Sequence, residues 1–424
     1  MSYAVVETIA GVPVVHRENQ EAPGVAVGLF YPAGSRWENT EEHGAAHFVE
    51  HLLFKGTEKH SCKELSRAVE GRGGDLNAFT GEETLCLHGR VPAGHGPMLI
   101  SLLAEMALSS TFPKDEVERE RGVITEEIRM MDDQPAVVAG EALNALLWPE
   151  QALGRPIAGT IASVGGIPRK GLMGYWERRI RGVRPVLAIA GGMSLEEVRK
   201  TAKAALRRSS PTASGEPIPA KRVRSSTVRV VAVAKPVAQV NVTLGIYAFR
   251  RQDPRRHGLR MLSVILGEAM SSRLFQRLRE EQGLVYSVSS GVHLQRDDGA
   301  FYISAGLEPG NLSKALGLIA AELKSLAAKG PGAAELKRAK DYVTGQFALG
   351  LEGTSQQMFW IGDSMLTRGR VVEPKEAIEK LAAVDAKIVK EVAQELFQPG
   401  RIGVAASGPE MDAAKLASAA QSLG

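Results

Sequence analysis

The sequence predicts an α+β protein of two homologous α/β domains, each an antiparallel-rich sheet packed with helices, related by internal duplication. Three observations lead there. At 424 residues the chain exceeds what one ordinary core organises. Its patterning passes repeatedly from short alternating strands to helical periodicity. The order of those patterns then restarts after a polar, Pro/Ser-rich span from Arg207 to Ser226.

Residues 4–33 alternate as short strands, with "AGVP" as the turn between the first two. Helical periodicity follows around 43–55, 62–71, 97–110 and 113–133, with strands near 75–80 and 84–91. A helix near 136–147 precedes "LGRPIAGT" and another near 168–180. The strand "PVLAIAGGM" and the helix "SLEEVRKTAKAAL" complete the first half. The expected boundaries are a first domain at 1–210, a linker at 211–226 and a second domain at 227–424.

In the second half, "NVTLGIYAFRRQDPRRHGLRMLSVILG" echoes "VAVGLFYPAGSRWENTEEHGAAHFVEHLLF": a strand, a charged loop, a His-Gly pair and an apolar helix. Aligning His43-Gly44 with His257-Gly258 sets Met261 opposite His47, Val264 opposite Glu50 and Ile265 opposite His51. Every polar residue of that set meets a hydrophobe in the second copy. One copy thus keeps chemistry where the other keeps only packing.

Composition excludes several classes. Apolar residues make up 44% and charged residues 24%, which places the chain among globular proteins. A net charge of +4 is too small to argue for nucleic acid or an anionic membrane surface. No apolar run of about 18 residues exists to span a bilayer. The N-terminus "MSYAVVETIAGVPVV" has neither a secretory nor a mitochondrial targeting pattern, and two cysteines, Cys62 and Cys86, form no disulfide framework. The expected compartment is bacterial cytoplasm.

The stretch "HGAAHFVEHLLFKGT" carries the chemistry. On a helix, residues four apart share a face, so His47 and His51 can converge on one ion with Glu50 beside them. The order H-x-x-E-H is that of inverzincins. By itself it also fits a helix with a buried, satisfied histidine. A catalytic zinc needs a third protein ligand and an open fourth position. In "EVERERGVITEEI", Val117, Ile124, Ile128 and Met131 form the apolar stripe; Glu127 lies at its edge and Glu120 two turns earlier, whereas Glu126 points away. Inward carboxylates are costly unless paired or metal-bound. In the second copy Ala339 stands opposite Glu120 and Gln346 opposite Glu127, so the acids disappear together with the histidines. His43 reads as a structural residue at the helix N-terminus; His60, His88 and His95 read as surface or loop residues.

Together these residues resemble the M16 metallopeptidases, and within them the bacterial subfamily similar to the processing-peptidase β subunit. The likeness runs over nearly the whole chain through "HFVEHLLFKGT", Glu127 76 residues after His51, "GGDLNAFTGEETLCLHGRV", "LGRPIAGT" and "SSRLFQRLREEQGLVYSV". It implies one Zn2+ per chain held by His47, His51 and Glu127. It also implies Glu50 as general base and Glu120 as a supporting carboxylate. Zinc lowers the pKa of its water to about 7 and polarises the scissile carbonyl, while Glu50 takes the proton and passes it to the leaving amine. The segment "DLNAFT" resembles the strand on which family members lay a peptide, making Asn77, Ala78 and Phe79 substrate-strand residues. Arg279 and Tyr286 resemble a pair that holds the substrate backbone and the developing oxyanion.

The resemblance further implies peptide substrates that are extended or unfolded. It implies a homodimer whose sites each combine the first domain of one subunit with the second domain of the other. "ILGEAMSSRLF" contains no long glycine-rich loop, unlike the non-catalytic α-type subunit. Of the two positions where the β-type subunit carries acids, Val137 and Glu141, only the second is acidic. No preference for arginine near the cleavage site is therefore implied. Rival readings are a non-catalytic scaffold of the same fold, a subunit active only with a different partner, and a metal-binding regulatory module. The complete metal set and Glu50 argue against the first and third.

Overall fold

The computed structural model describes residues 3–207 and 215–424; residues 211–214 of the expected linker lie outside the described residues. The chain divides into two compact units. One comprises Met1–Ile128, Pro156–Ile218 and Ala348–Glu376; the other comprises Arg129–Arg155, Pro219–Phe347 and Ala377–Gly424.

The first unit contains a sheet of β1 (Val5–Ile9), β2 (Val12–Glu18), β3 (Gly24–Tyr31), β4 (Asp75–Thr80), β5 (Leu85–Pro92) and β6 (Val186–Gly191), in the order β1-β2-β6-β3-β5-β4. Only β2 and β6 run parallel. The second sheet contains β7 (Arg229–Ala234), β8 (Val240–Tyr247), β9 (Val285–Leu294), β10 (Gly299–Leu307) and β11 (Ile402–Gly408), in the order β7-β11-β8-β10-β9. Its one parallel pair is β7 with β11. Without β1, the first order becomes β2-β6-β3-β5-β4, with the parallel pair in the same place. The duplication read from the sequence is therefore also a duplication of topology.

The predicted helices form close to their expected bounds: α1 (Ala45–Leu52), α2 (Cys62–Glu70), α3 (Gly96–Ser109), α4 (Lys114–Asp132) and α5 (Pro135–Leu147). One face of the first sheet packs on a core that includes Phe48, Leu52, Leu99, Leu103 and Ile124. Its other face, bearing Ala26, Phe30, Cys86, Ala188 and Ala190, is covered by Met358 and Ile361 of the helix Thr354–Arg368. The helix lies so close that a Cβ on Gly28 would come within 2.5 Å of the Met358 sulfur. With apolar cover on both faces, β3 reads as a continuous hydrophobic run, not an alternating one.

The second sheet mirrors this arrangement. Its main core gathers Leu244, Leu259, Phe301, Leu316 and Val389, while Leu143 and Leu147 of α5 pack on Tyr247, Ala300 and Ala405. The N-terminal residues of α5 and of the helix Thr354–Arg368 are separated by the offset that aligns Glu120 with Ala339. They are thus equivalent helices of the two repeats. Each covers the sheet built by the other half of the chain.

Met261, Val264 and Ile265, the counterparts of the polar set, are buried in the second core, and Ala339 is buried in the same core. Gln346 is exposed. At Met261, Val264, Ile265 and Ala339 the second copy is plain packing.

Candidate metal centre

The positioning of α1 starts at its N-terminus. Gly44 has φ +95°, a left-handed conformation, and a Cβ there would come within 2.9 Å of the Ala158 carbonyl oxygen. The free amides of the first turn are taken by a buried carboxylate: Gly44 and Ala46 N–H groups donate to Glu38 at 3.0 and 2.7 Å. A negative charge there also suits the helix dipole. His43 precedes the helix, buried, with Nε2 2.9 Å from the Pro156 carbonyl oxygen. Ala45, Ala46, Phe48, Val49 and Leu52 turn into the core. His47, Glu50 and His51 remain at its rim, half-buried.

Opposite them runs α4. Val117, Glu120 and Ile124 are buried, Glu127 is half-buried and Glu126 is exposed, as the helical periodicity predicts. His47 Nε2 lies 3.8 Å from one Glu127 oxygen and His51 Nε2 lies 3.6 Å from the other. One ligand atom from each of the three residues falls within 4.8 Å of the others. The imidazoles meet edge to face, centroids 4.7 Å apart. Tetrahedral zinc at about 2.0–2.2 Å from N and O donors needs its ligand atoms roughly 3.4 Å apart, so modest inward movement brings these donors to ion-binding distance. Two imidazoles and a carboxylate form a donor set that suits zinc. Burial, with His51 adding to it, lowers the pKa of His47 to about 4, so the ring is neutral at physiological pH.

The second layer is ordered on one side and open on the other. His51 Nδ1 is 3.1 Å from a Glu120 oxygen, and the other Glu120 oxygen is 2.8 Å from Lys55 Nζ. Among the described residues, His47 Nδ1 and Glu50 Oε2 are buried without a hydrogen-bond partner. Burial pushes the Glu50 carboxyl upward, against the pull of the Thr80 hydroxyl and of His51. A carboxyl raised this way, with an unsatisfied oxygen beside a three-donor cluster, is suited to accept a proton.

Asn77, Ala78 and Phe79 lie on β4, which among the described residues pairs only with β5 and forms the sheet edge. The Ala78 N–H is taken at 2.8 Å by the Asn77 side-chain oxygen. Phe79 is 40% exposed. In the second unit the Arg279 guanidinium lies 5.9 Å from the Tyr286 ring centroid and 4.9 Å from that of Phe275. Tyr286, near the start of edge strand β9, is 74% exposed. Glu141 is half-buried on α5, and Val137 precedes it by one turn.

One of the other histidines differs from expectation. His88 is not a loop residue but sits within β5, half-buried, its ring 4.9 Å from Phe359. Its face of the strand is the one covered by the helix Thr354–Arg368. His60 does lie in a loop but is tied down, with Nδ1 2.7 Å from Glu105. Sequence reasoning also passed over Glu38 and Lys55. No capping-box spacing announces Glu38. Lys55 had a readable signal, because it continues the 47–51 spacing by one more turn.

Residues 13–161 match the family described as Insulinase (Peptidase family M16), and residues 167–343 match the Peptidase M16 inactive domain. The chain belongs to the peptidase M16 family. A Streptomyces coelicolor protein named as an uncharacterized zinc protease is 32% identical, over 91% of this chain and 85% of that one. The mitochondrial-processing peptidase subunit beta of Bos taurus is 31% identical, over 90% of this chain and 80% of that one. Among solved structures, a protease from Helicobacter pylori superposes with a TM-score of 0.89 at 22% identity, covering 96% of this chain and all of that one. Among the described residues no helix is long and apolar enough to cross a membrane.

Proposed function

We propose that this M16 chain is a zinc-dependent endopeptidase that hydrolyses extended or unfolded peptides. The observation that carries the reading is the convergence of His47, His51 and Glu127 beside the Glu50 carboxyl, one oxygen of which has no partner among the described residues. In this reading one Zn2+ per chain occupies that cluster. When bound there, zinc supplies Lewis-acid polarisation of the scissile carbonyl and a water acidic enough to lose its proton near pH 7. Glu50 accepts that proton and returns it to the leaving amine, while Glu120 orients His51. Arg279 and Tyr286 supply donors for the oxyanion. The test measures bound zinc and peptide hydrolysis together. Chelation should abolish hydrolysis, added zinc should restore it, and His47→Ala should lose both metal and activity. Full hydrolysis by the metal-stripped chain would end the proposal.

The free edge of β4 is where the peptide would add as a strand, and this explains a demand for unpaired backbone. The Ala78 amide, held by its neighbour's side chain, would be the donor that a substrate carbonyl captures. Proline removes that amide yet is tolerated where a strand's N–H faces outward. Ala78→Pro is expected to keep the thermal midpoint within a few degrees and to lose about tenfold or more in kcat/KM. At about 1.4 kcal/mol per tenfold, this corresponds to one backbone hydrogen bond. Unchanged kcat/KM in a folded Ala78→Pro protein would count against strand addition there.

In the same reading the chain works as a homodimer with composite sites, since the zinc set lies in one unit and the Arg279–Tyr286 pair in the other. Complementation between two singly inactive chains would reveal it. The free cysteines Cys62 and Cys86 suit a reducing bacterial cytoplasm. A second reading, a non-catalytic or partner-dependent subunit, draws on the match to the inactive domain. That match covers residues 167–343, outside the zinc set.

A further inference from the structure

We infer that Lys55 is a positioning residue of the metal centre, acting through Glu120 to fix which nitrogen of His51 faces the ion. The inference rests on the zinc reading above and adds a residue to it.

The Glu120 side chain is only 4% exposed. A carboxylate buried to that degree needs a charge partner or several donors, because an unpaired charge there would be strongly unfavourable. Its two oxygens are divided between two partners: one lies 2.8 Å from Lys55 Nζ and the other 3.1 Å from His51 Nδ1. Lys55 has no other ion pair among those of the described residues, and its side chain is 23% exposed. A lysine on the surface would swing free in water; this one is held under the helix that carries the histidines.

The backbone explains why it stays there. After α1 the chain turns at Gly56, whose φ of +120° is open to glycine. Its carbonyl accepts from Thr111 N–H at 3.2 Å and from the Ser110 hydroxyl at 3.3 Å. The Ser110 hydroxyl also lies 3.2 Å from the Leu52 carbonyl oxygen. Thr57 forms an isolated bridge with Ser110. The segment bearing Lys55 is thereby pinned between the end of α1 and the start of α4, the two helices that supply all three ligands.

The consequence for His51 follows from the chemistry of imidazole. A neutral ring carries one N–H and one lone pair. With the ammonium holding one oxygen of the Glu120 carboxylate, the other oxygen is turned toward Nδ1 as an acceptor. The proton then resides on Nδ1 and the lone pair on Nε2, the atom that faces Glu127. Such outer partners typically change metal affinity about 10–100-fold when removed. Without the ammonium, the carboxylate would lose its charge partner and its fixed rotamer, and His51 its fixed orientation.

The experiment measures zinc dissociation constants by chelator competition, with the thermal midpoint of the metal-free protein as a control for folding. Lys55→Met should weaken zinc binding about 10–100-fold. Lys55→Arg, which keeps a charge able to reach a carboxylate, should restore most of that loss. Glu120→Gln should weaken binding comparably, and adding Lys55→Met to it should cost little more, because both act through one contact. If Lys55→Met lowers only the thermal midpoint while zinc affinity stays within twofold, Lys55 is merely structural and the inference is overturned. Fully additive losses in the double variant would also overturn it. If His47→Ala leaves zinc affinity unchanged, zinc sits elsewhere and the underlying reading falls, taking this inference with it.

Discussion

Glu50→Gln is expected to bind zinc as the parent does and to lose about 10²–10⁴-fold in kcat, the range that a positioned general base contributes. Glutamine keeps the size of the side chain and its place beside Thr80, but it cannot accept the proton. The loss should appear in kcat and kcat/KM alike, with KM little changed, because proton acceptance belongs to the transition state. A Glu50→Gln chain that retains more than about a tenth of wild-type kcat would remove Glu50 from that role. The variant has a second use. Mixed with an otherwise intact Tyr286→Phe chain, it can form dimers in which one zinc set and one Tyr286 are wild type. If sites are shared across a symmetric dimer, random mixing should recover about one quarter of wild-type activity. If each site is confined to one chain, mixing recovers nothing.

A fragment ending at residue 210 is expected not to fold into a cooperative unit, although it holds every residue of the zinc set. It lacks the helix Thr354–Arg368 and so leaves Phe30, Ala26, Ala188 and Ala190 without the cover of Met358 and Ile361. Truncating one buried Met or Ile to alanine costs about 2–5 kcal/mol. Losing both, with the rest of their helix, rivals the whole margin of about 5–15 kcal/mol that holds a typical domain. The fragment should aggregate or show no sharp thermal transition, and co-expression with residues 211–424 should bring it into solution. A monomeric fragment melting cooperatively by itself would contradict this.

Much of the fold was legible because periodicity reports which residues face a core. The α4 stripe of Val117, Ile124 and Ile128, with Glu127 at its edge, was readable before any coordinates, as was the loss of polarity at Met261, Val264 and Ile265. What periodicity does not report is which core a helix faces. Leu143 and Leu147 form an ordinary apolar face, and nothing in their spacing says that they meet Tyr247 and Ala405. The same gap hid the surroundings of His88, since the helix that covers its face of β5 comes from more than 260 residues further along. Lysine after a helix usually reads as a solvated charge favoured by the dipole, which masks Lys55 although it continues the histidine spacing. Glu38 caps α1 across a loop, with no local signature.

The traded helices also put the chain on a timetable. At about 5–20 residues per second, synthesis from residue 210 to the end of the helix at Arg368 takes roughly 10–30 seconds. During that interval one face of the first sheet has no partner, and β4 offers an open edge. In the function proposed above, such a nascent chain would offer extended, apolar segments of the kind that strand addition accepts. Arrival of the second half, and not completion of the zinc set, therefore ends the exposure of that face.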